Sequence, residues 1–246
     1  MKLKQTPMAT LAKPASQAVS TMTAIKDYII QSNLQPGDPL PTESQMCEGL
    51  GVSRSSVREA VRTLMALDIV EVRHGHGMFV GQVSMHPMVE SLVFRGMLNP
   101  GDDFRSLLEV VEVRQSLDLA FAGSVVDAWK GRESPELHDA VDQMERLSEQ
   151  GKGFPEQDRF FHSKLLKPVT NQMFRQLTEA FWDVHTLTAP RLGVPTPVDV
   201  QDTAKAHRDM LLAAEQGDVD AYRDAVHAHF APLIRNLQGA AKQAKS

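Results

Sequence analysis

The sequence predicts a mainly α-helical chain in two parts: a small N-terminal helical unit that ends in a β-hairpin, and a larger all-α bundle. Three observations predict it. In the stretch from Gly51 to Met65, apolar Val57, Ala60, Val61, Leu64 and Met65 recur at the i, i+3, i+4, i+7, i+8 spacing of a core-facing helix stripe. Directly after it, Ile69-Val-Glu-Val72 alternates and is β-branched, and Met78-Phe-Val80 follows a His-Gly-His-Gly turn. From Asp102 onward the apolar pattern stays helical to the end, with no convincing strand alternation.

In chain order, residues 1–16 carry lysines without an apolar core, so they predict a flexible tail rather than a secretory signal. A first helix is expected from about Val19 to Ser32, with Met22, Ile25, Ile29 and Ile30 inward. Gln35-Pro-Gly-Asp-Pro39 ends it in a turn. Thr42, with Gln45 three residues on, forms a capping box that opens a short second helix. Ser53 then sits where an N-cap belongs, ahead of the third helix. Arg54, Arg58 and Arg62 repeat every four residues on its polar face, with Ser55 and Ser56 beside them. Guanidinium forks match guanine edges and phosphate oxygens, and small hydroxyls allow close approach. A basic face of this kind can also be merely solvated. Helix, short turn and arginine-bearing helix make a helix-turn-helix, and the hairpin behind it makes a wing. His74 at the wing tip could reach an adjacent groove or backbone, or be an exposed turn residue. The winged helix-turn-helix is assigned to residues 17–82, and a linker with a short helix to 83–101.

The all-α domain is assigned to residues 102–242. Its helices are expected at about 103–129, 134–150, 155–167, 171–190, 199–216 and 219–240, broken at Gly131, Gly151, Pro168, the Pro190–Pro197 loop and Gly217. Inside it, Asp158 and His162 are i, i+4 on one helix face. His207 and His229 flank the Gly217-Asp218 turn at similar distances, so an antiparallel hairpin puts them level. One carboxylate and three imidazoles suit a divalent ion such as Zn²⁺, with Ni²⁺ or Mn²⁺ as alternatives. Each of these histidines alone could equally be a hydrogen-bonded core residue. His227, two positions from His229, should face elsewhere. His138 and His185 have no such partners and are left as structural or exposed.

Composition bounds the function. The single Cys47 excludes an internal disulfide and fits a cytoplasmic protein. No apolar run is long enough to span a membrane. The net charge is −5, yet residues 1–82 are nearly balanced, so the acidity lies in the second part. Any attraction to phosphate is therefore local, concentrated on one helix.

Leu40-Pro-Thr-Glu43, Gly51-Val-Ser-Arg54, Val57-Arg-Glu-Ala60 and the Gly75/Gly77 wing resemble the winged helix-turn-helix of GntR-type bacterial transcription regulators. The resemblance implies DNA contacts from Arg54, Ser55, Ser56, Arg58 and His74. Ser44 stands where many members carry a basic residue. Asp158-x-x-x-His162, Asn171, and His207…Gly217-Asp218…His229 resemble the FCD effector-binding domain of the FadR-like branch. That implies a metal held by Asp158, His162, His207 and His229, and a small organic acid completing its coordination. Gln172 replaces a usual Pro after Asn171, and Asp118 stands where many members have Glu. Arg114 matches an arginine that lines the effector cavity, although an ion pair with Asp118 at i+4 is its plain alternative. The whole then reads as a non-enzymatic, ligand-responsive repressor that binds a palindromic double-stranded operator as a homodimer. A metal-independent regulator with an acyl effector, and a metallohydrolase with a DNA-binding head, are the rival readings.

Overall fold

In the computed structural model, the residues described are 17–98, 104–193 and 199–243. The tail expected over 1–16 lies outside them, as do residues 194–197 of the Pro190–Pro197 loop and the end of the expected linker. The chain divides into two compact units, residues 1–87 and 88–246.

In the first unit, α1 (Gln17–Gln31), α2 (Glu43–Leu50) and α3 (Arg54–Ala66) precede a hairpin of β1 (Val70–Arg73) and β2 (Gly77–Val80). The capping box at α2 forms as expected, with Thr42 accepting from the Gln45 backbone N–H and the Gln45 side chain accepting from the Thr42 N–H. Ser53 caps α3 by accepting from the Ser56 N–H. Ile25, Leu40, Met46, Val57, Ala60, Val61, Leu64, Val70, Met78 and Val80 form the core. Two residues expected inward are not. Ile30 is 71% exposed and Met65 43% exposed. Each lies near the C-terminal end of its helix, where the stripe runs past the edge of a small core. The hairpin pairs Val70 with Val80 and Val72 with Met78. The preceding Pro-Gly-Asp-Pro segment does more than turn: Gly37 N–H donates to Val80 O, Val80 N–H to Asp38 O, and Leu40 N–H to Met78 O. It thereby covers the outer edge of β2, which would otherwise expose unpaired backbone groups.

α4 (His86–Met97) runs across the division, and the second unit continues with α5 (Arg105–Ala120), α6 (Ala122–Trp129), α7 (Pro135–Glu149), α8 (Pro155–Leu166), α9 (Gln172–Thr188), α10 (Val200–Gln216) and α11 (Val219–Gln243). The short helix expected in the 83–101 segment is α4, with Val89 and Val93 buried. The single helix expected over 103–129 is two. The break falls at Phe121, whose ring stacks on Phe174 of α9 at 4.1 Å between centroids. The short α6 then buries Ala122, Val125, Val126 and Trp129. Nothing in the apolar periodicity marks that break, because the pattern stays in phase through it. Ser134 and Asn171 cap α7 and α9 with their side chains, so Gln172 in place of Pro does not cost α9 its start.

The α10–α11 pair sets the level of the central histidines. Gly217 adopts φ +79°, a left-handed C-cap that a side chain would strain, and an added Cβ would also meet the Lys130 stem at 2.8 Å. Arg208 ties α10 to α7 through Asp142 and Glu145 at 2.5–2.6 Å, which turns the adjacent His207 toward the bundle interior. Among the described residues, no helix is long and apolar enough to cross a membrane.

Candidate metal centre, effector cavity and DNA-facing helix

Asp158 and His162 come from α8, His207 from α10 and His229 from α11. One candidate ligand atom from each lies within 4.8 Å of all the others. His207 Nε2 is 2.9 Å and His162 Nε2 3.7 Å from the same Asp158 Oδ1. The three imidazoles sit 4.5–5.3 Å apart between ring centroids. His162, His207 and His229 are all buried. His227, the neighbour expected to face elsewhere, is exposed beside Gln115.

The donor set fits a divalent cation on several grounds. Among the described residues, neither His162 Nε2 nor His229 Nδ1 has a hydrogen-bond partner, and leaving a buried polar atom unpaired costs about 1–3 kcal/mol. His207 faces an acceptor on both sides, with Thr203 O 2.8 Å from Nδ1 and Asp158 Oδ1 2.9 Å from Nε2. A neutral imidazole has one N–H. Donated to Thr203, it leaves a lone pair on Nε2 facing a carboxylate oxygen, a conflict that a cation between them removes. The Thr203 contact would also fix the tautomer and ring orientation, as outer partners of ligating histidines commonly do. Trp182 Nε1–H donates to Asp158 Oδ2 at 2.6 Å, holding Oδ1 toward the imidazoles.

Electrostatics point the same way. Burial is the largest influence on Asp158 and would raise its pKa, but the hydrogen bond from His207 and the surrounding imidazoles hold it well below the usual carboxylate range. Burial pushes His162 down to about 3 against the pull of Asp158. Burial also drives His229 well below its ordinary value, with His207 and His162 adding to the effect. At neutral pH Asp158 is therefore ionised and His162 and His229 offer unprotonated nitrogens, the forms that ligate.

The cluster opens onto a cavity of about 480 Å³, within the range of small-molecule sites. Asp158, His229 and Arg114 line it, together with Phe154, Trp182, His185, Thr186, Val200, Thr203, Leu233 and others. Arg114 is 3% exposed. It makes no ion pair with Asp118, its Nε is unpartnered among the described residues, and its guanidinium carbon lies 5.4 Å from the centre of the Phe230 ring. Burial lowers its pKa, offset by the charges of Asp158 and Asp118. The i+4 ion-pair alternative is thus not realised, and the guanidinium faces a cavity. Asp118, also buried, is pushed up to about 7 by that burial, against the opposing effect of Arg114.

Sequence reasoning missed Trp182 and His185. They are three residues apart in α9 and line the same cavity, a spacing that could have nominated them. His185, left as structural or exposed, lines the cavity, and its Nε2 is buried without a partner among the described residues. His138, left as structural or exposed, is structural: it pairs with Glu215 at 3.0 Å.

In the first unit, Arg54, Ser55, Arg58, Arg62 and His74 are all exposed. Arg58 is paired with Glu43 of α2 at 2.9 Å, and both remain solvent-accessible. Ser56 departs from expectation. It is 7% exposed, and its Oγ contacts Ser53 Oγ at 2.9 Å and Gln17 Oε1 at 3.3 Å. Its hydroxyl serves the joint between α1 and the start of α3, and so is not displayed with the arginines.

Residues 109–232 match the FCD domain family, and residues 17–80 match the gntR family of bacterial regulatory proteins. The galactonate operon transcriptional repressor of Escherichia coli K12 is 25% identical over 210 residues, covering 85% of this chain and 92% of the relative. The Uxu operon transcriptional regulator of the same organism is 30% identical over 235 residues, covering 93% and 89%. The solved structure described as Streptococcus agalactiae GntR superposes with a TM-score of 0.63 at 25% identity, covering 89% of this chain and 99% of that one. These domains and relatives are those of a DNA-binding regulator and not of an enzyme, so the metallohydrolase reading falls. The chain belongs to the GntR family of bacterial regulatory proteins, with a C-terminal FCD domain, and is a transcription regulator.

Proposed function

We propose that the protein is a ligand-responsive repressor that binds a palindromic operator as a homodimer and releases it when a small organic acid occupies the FCD cavity. The observation that carries this reading is the convergence of Asp158, His162, His207 and His229 at the wall of a cavity that also holds the buried guanidinium of Arg114. A divalent ion, Zn²⁺ first among the candidates, would be held by those four residues and would supply a Lewis-acidic position for a carboxylate and a neighbouring oxygen. Arg114 neutralises and orients the carboxylate, a task suited to its planar fork. The relative named for a galactonate operon supports an acid of this class.

On the DNA side, Arg54 and Arg58 read base edges and phosphates, Ser55 packs close to the backbone, and His74 reaches from the wing. Two-fold symmetry of a dimer matches two half-sites about one helical turn apart. The acid acts by binding one arrangement of the dimer more tightly than the other, a differential typically worth about 1–3 kcal/mol.

A thermal-shift screen of small carboxylates on zinc-loaded and chelator-treated protein tests this reading. One class of acid is expected to raise the melting temperature only in the metal-loaded sample and to lower operator affinity in a gel-shift assay. Acids that act equally in both samples would reduce the four-residue cluster to a structural role. Stabilisation by long-chain acyl compounds alone would replace the acid effector with an apolar one.

A further inference from the structure

The cavity wall also holds a polar group that the reading above does not use. His185, on α9, lines the cavity, and its Nε2 has no hydrogen-bond partner among the described residues. The other polar groups beside it are committed. Trp182 Nε1–H donates to Asp158, Thr186 Oγ1 donates to Trp182 O, and Thr203 Oγ1 donates to Asp199 O. An unpartnered imidazole nitrogen in a buried wall is costly unless a ligand or ordered water meets it, and the cavity is where that partner can sit.

The chemistry of that partner can be narrowed. Burial pushes His185 down to about 4, and the positive charge of Arg114 adds to the effect. The ring is therefore neutral at physiological pH and offers no charge to a second carboxylate. A hydroxyl matches a neutral imidazole in either tautomer, since it both donates and accepts. The size of the cavity agrees with an extended ligand. At about 30 Å³ per water, a volume of about 480 Å³ would be mostly empty around a two-carbon acid.

We propose that His185 is a specificity-determining residue for the effector, its Nε2 hydrogen-bonding a hydroxyl beyond the α-carbon, so that the site selects polyhydroxy acids over α-hydroxy acids with hydrocarbon tails. This rests on the reading of the cavity as an acid site at a metal. A site that hydrogen-bonds a ligand hydroxyl discriminates against the analogue lacking it because its own polar group is then left unpaired.

Calorimetric titration of the zinc-loaded full chain tests it, with gluconate, galactonate and mannonate against 2-hydroxyhexanoate, which shares the six-carbon chain and the α-hydroxy acid head. The wild-type protein is expected to prefer at least one aldonate by about tenfold or more. His185→Phe should collapse that ratio to about one with zinc stoichiometry unchanged. His185→Gln, which keeps a hydrogen-bonding group, should retain part of the preference, and it serves with His185→Leu if the Phe variant does not fold. Absence of any aldonate preference in the wild type, or a preference that survives His185→Phe and His185→Leu, overturns the assignment of His185 while leaving the acid site standing. If neither aldonate nor 2-hydroxyhexanoate binds the zinc-loaded wild type, the acid-at-metal reading fails and this inference with it.

Discussion

Arg58 and His207 show how differently two polar residues can matter. Arg58 is largely exposed, and its pair with Glu43 is open to solvent, so the pair adds well under about 1 kcal/mol to stability. Arg58→Ala should therefore leave the melting temperature nearly unchanged and weaken specific operator binding by about 1–3 kcal/mol at fixed salt. A fluorescence-anisotropy titration on an operator fragment measures this, and unchanged affinity would remove Arg58 from the interface. His207 is fully buried and engaged on both ring nitrogens. His207→Ala strips Asp158 Oδ1 of its hydrogen-bond partner, so the metal-free variant should lose about 1–3 kcal/mol. It should also no longer retain zinc or respond to chelator. Metal analysis together with chemical denaturation reads both effects, and full zinc retention would exclude His207 as a ligand.

Most elements formed where local chemistry placed them, because caps and glycine turns act over a few residues. Thr42, Ser53, Ser134 and Asn171 each accept the backbone N–H they are positioned to accept. What local chemistry left open was how elements meet. Residues 37–40 pair with β2 although Pro39 lies among them, because the backbone groups not lost to proline face the right edge. Gly81 shows a similar close approach. A Cβ there would lie 2.3 Å from the Asp68 carbonyl oxygen, where Gly81 N–H donates to Ile69 O just past the hairpin. Backbone cannot yield as a flexible side chain can, so Gly81→Ala should destabilise the first unit by at least the 1–3 kcal/mol that is roughly typical of overpacking. Denaturation followed by circular dichroism tests this, and a wild-type midpoint would mean that the segment relaxes freely.

At the scale of the molecule, buried titratable groups give the metal-free protein an unusual pH response. Asp118 is raised to about 7 by burial, above its value in an unfolded chain. The folded state therefore holds more protons between about pH 4 and 7, and the contribution of Asp118 to stability is present below that window and falls as pH rises through it. His185, lowered to about 4, acts oppositely: the folded state holds fewer protons between about pH 4 and 6.5, and stability rises with pH there. Asp118→Asn removes the falling limb, so its melting temperature relative to wild type should increase between pH 5 and pH 8. A parallel offset at all pH values would show that Asp118 titrates alike in both states. The sequence by itself determined the helical architecture, the capped α3 with its arginines, the wing and the four-residue cluster. The cluster was legible because Asp158 and His162 are fixed by helix period and His207 and His229 by their similar distances from Gly217, all properties of local geometry. Only the tertiary structure decided that Arg114 faces a cavity rather than Asp118, that Ser56 turns inward, that the chain breaks at Phe121, and that Trp182 and His185 join the site. Those outcomes depend on which faces of distant helices meet, and a one-dimensional pattern fixes the face of each helix without fixing its neighbour.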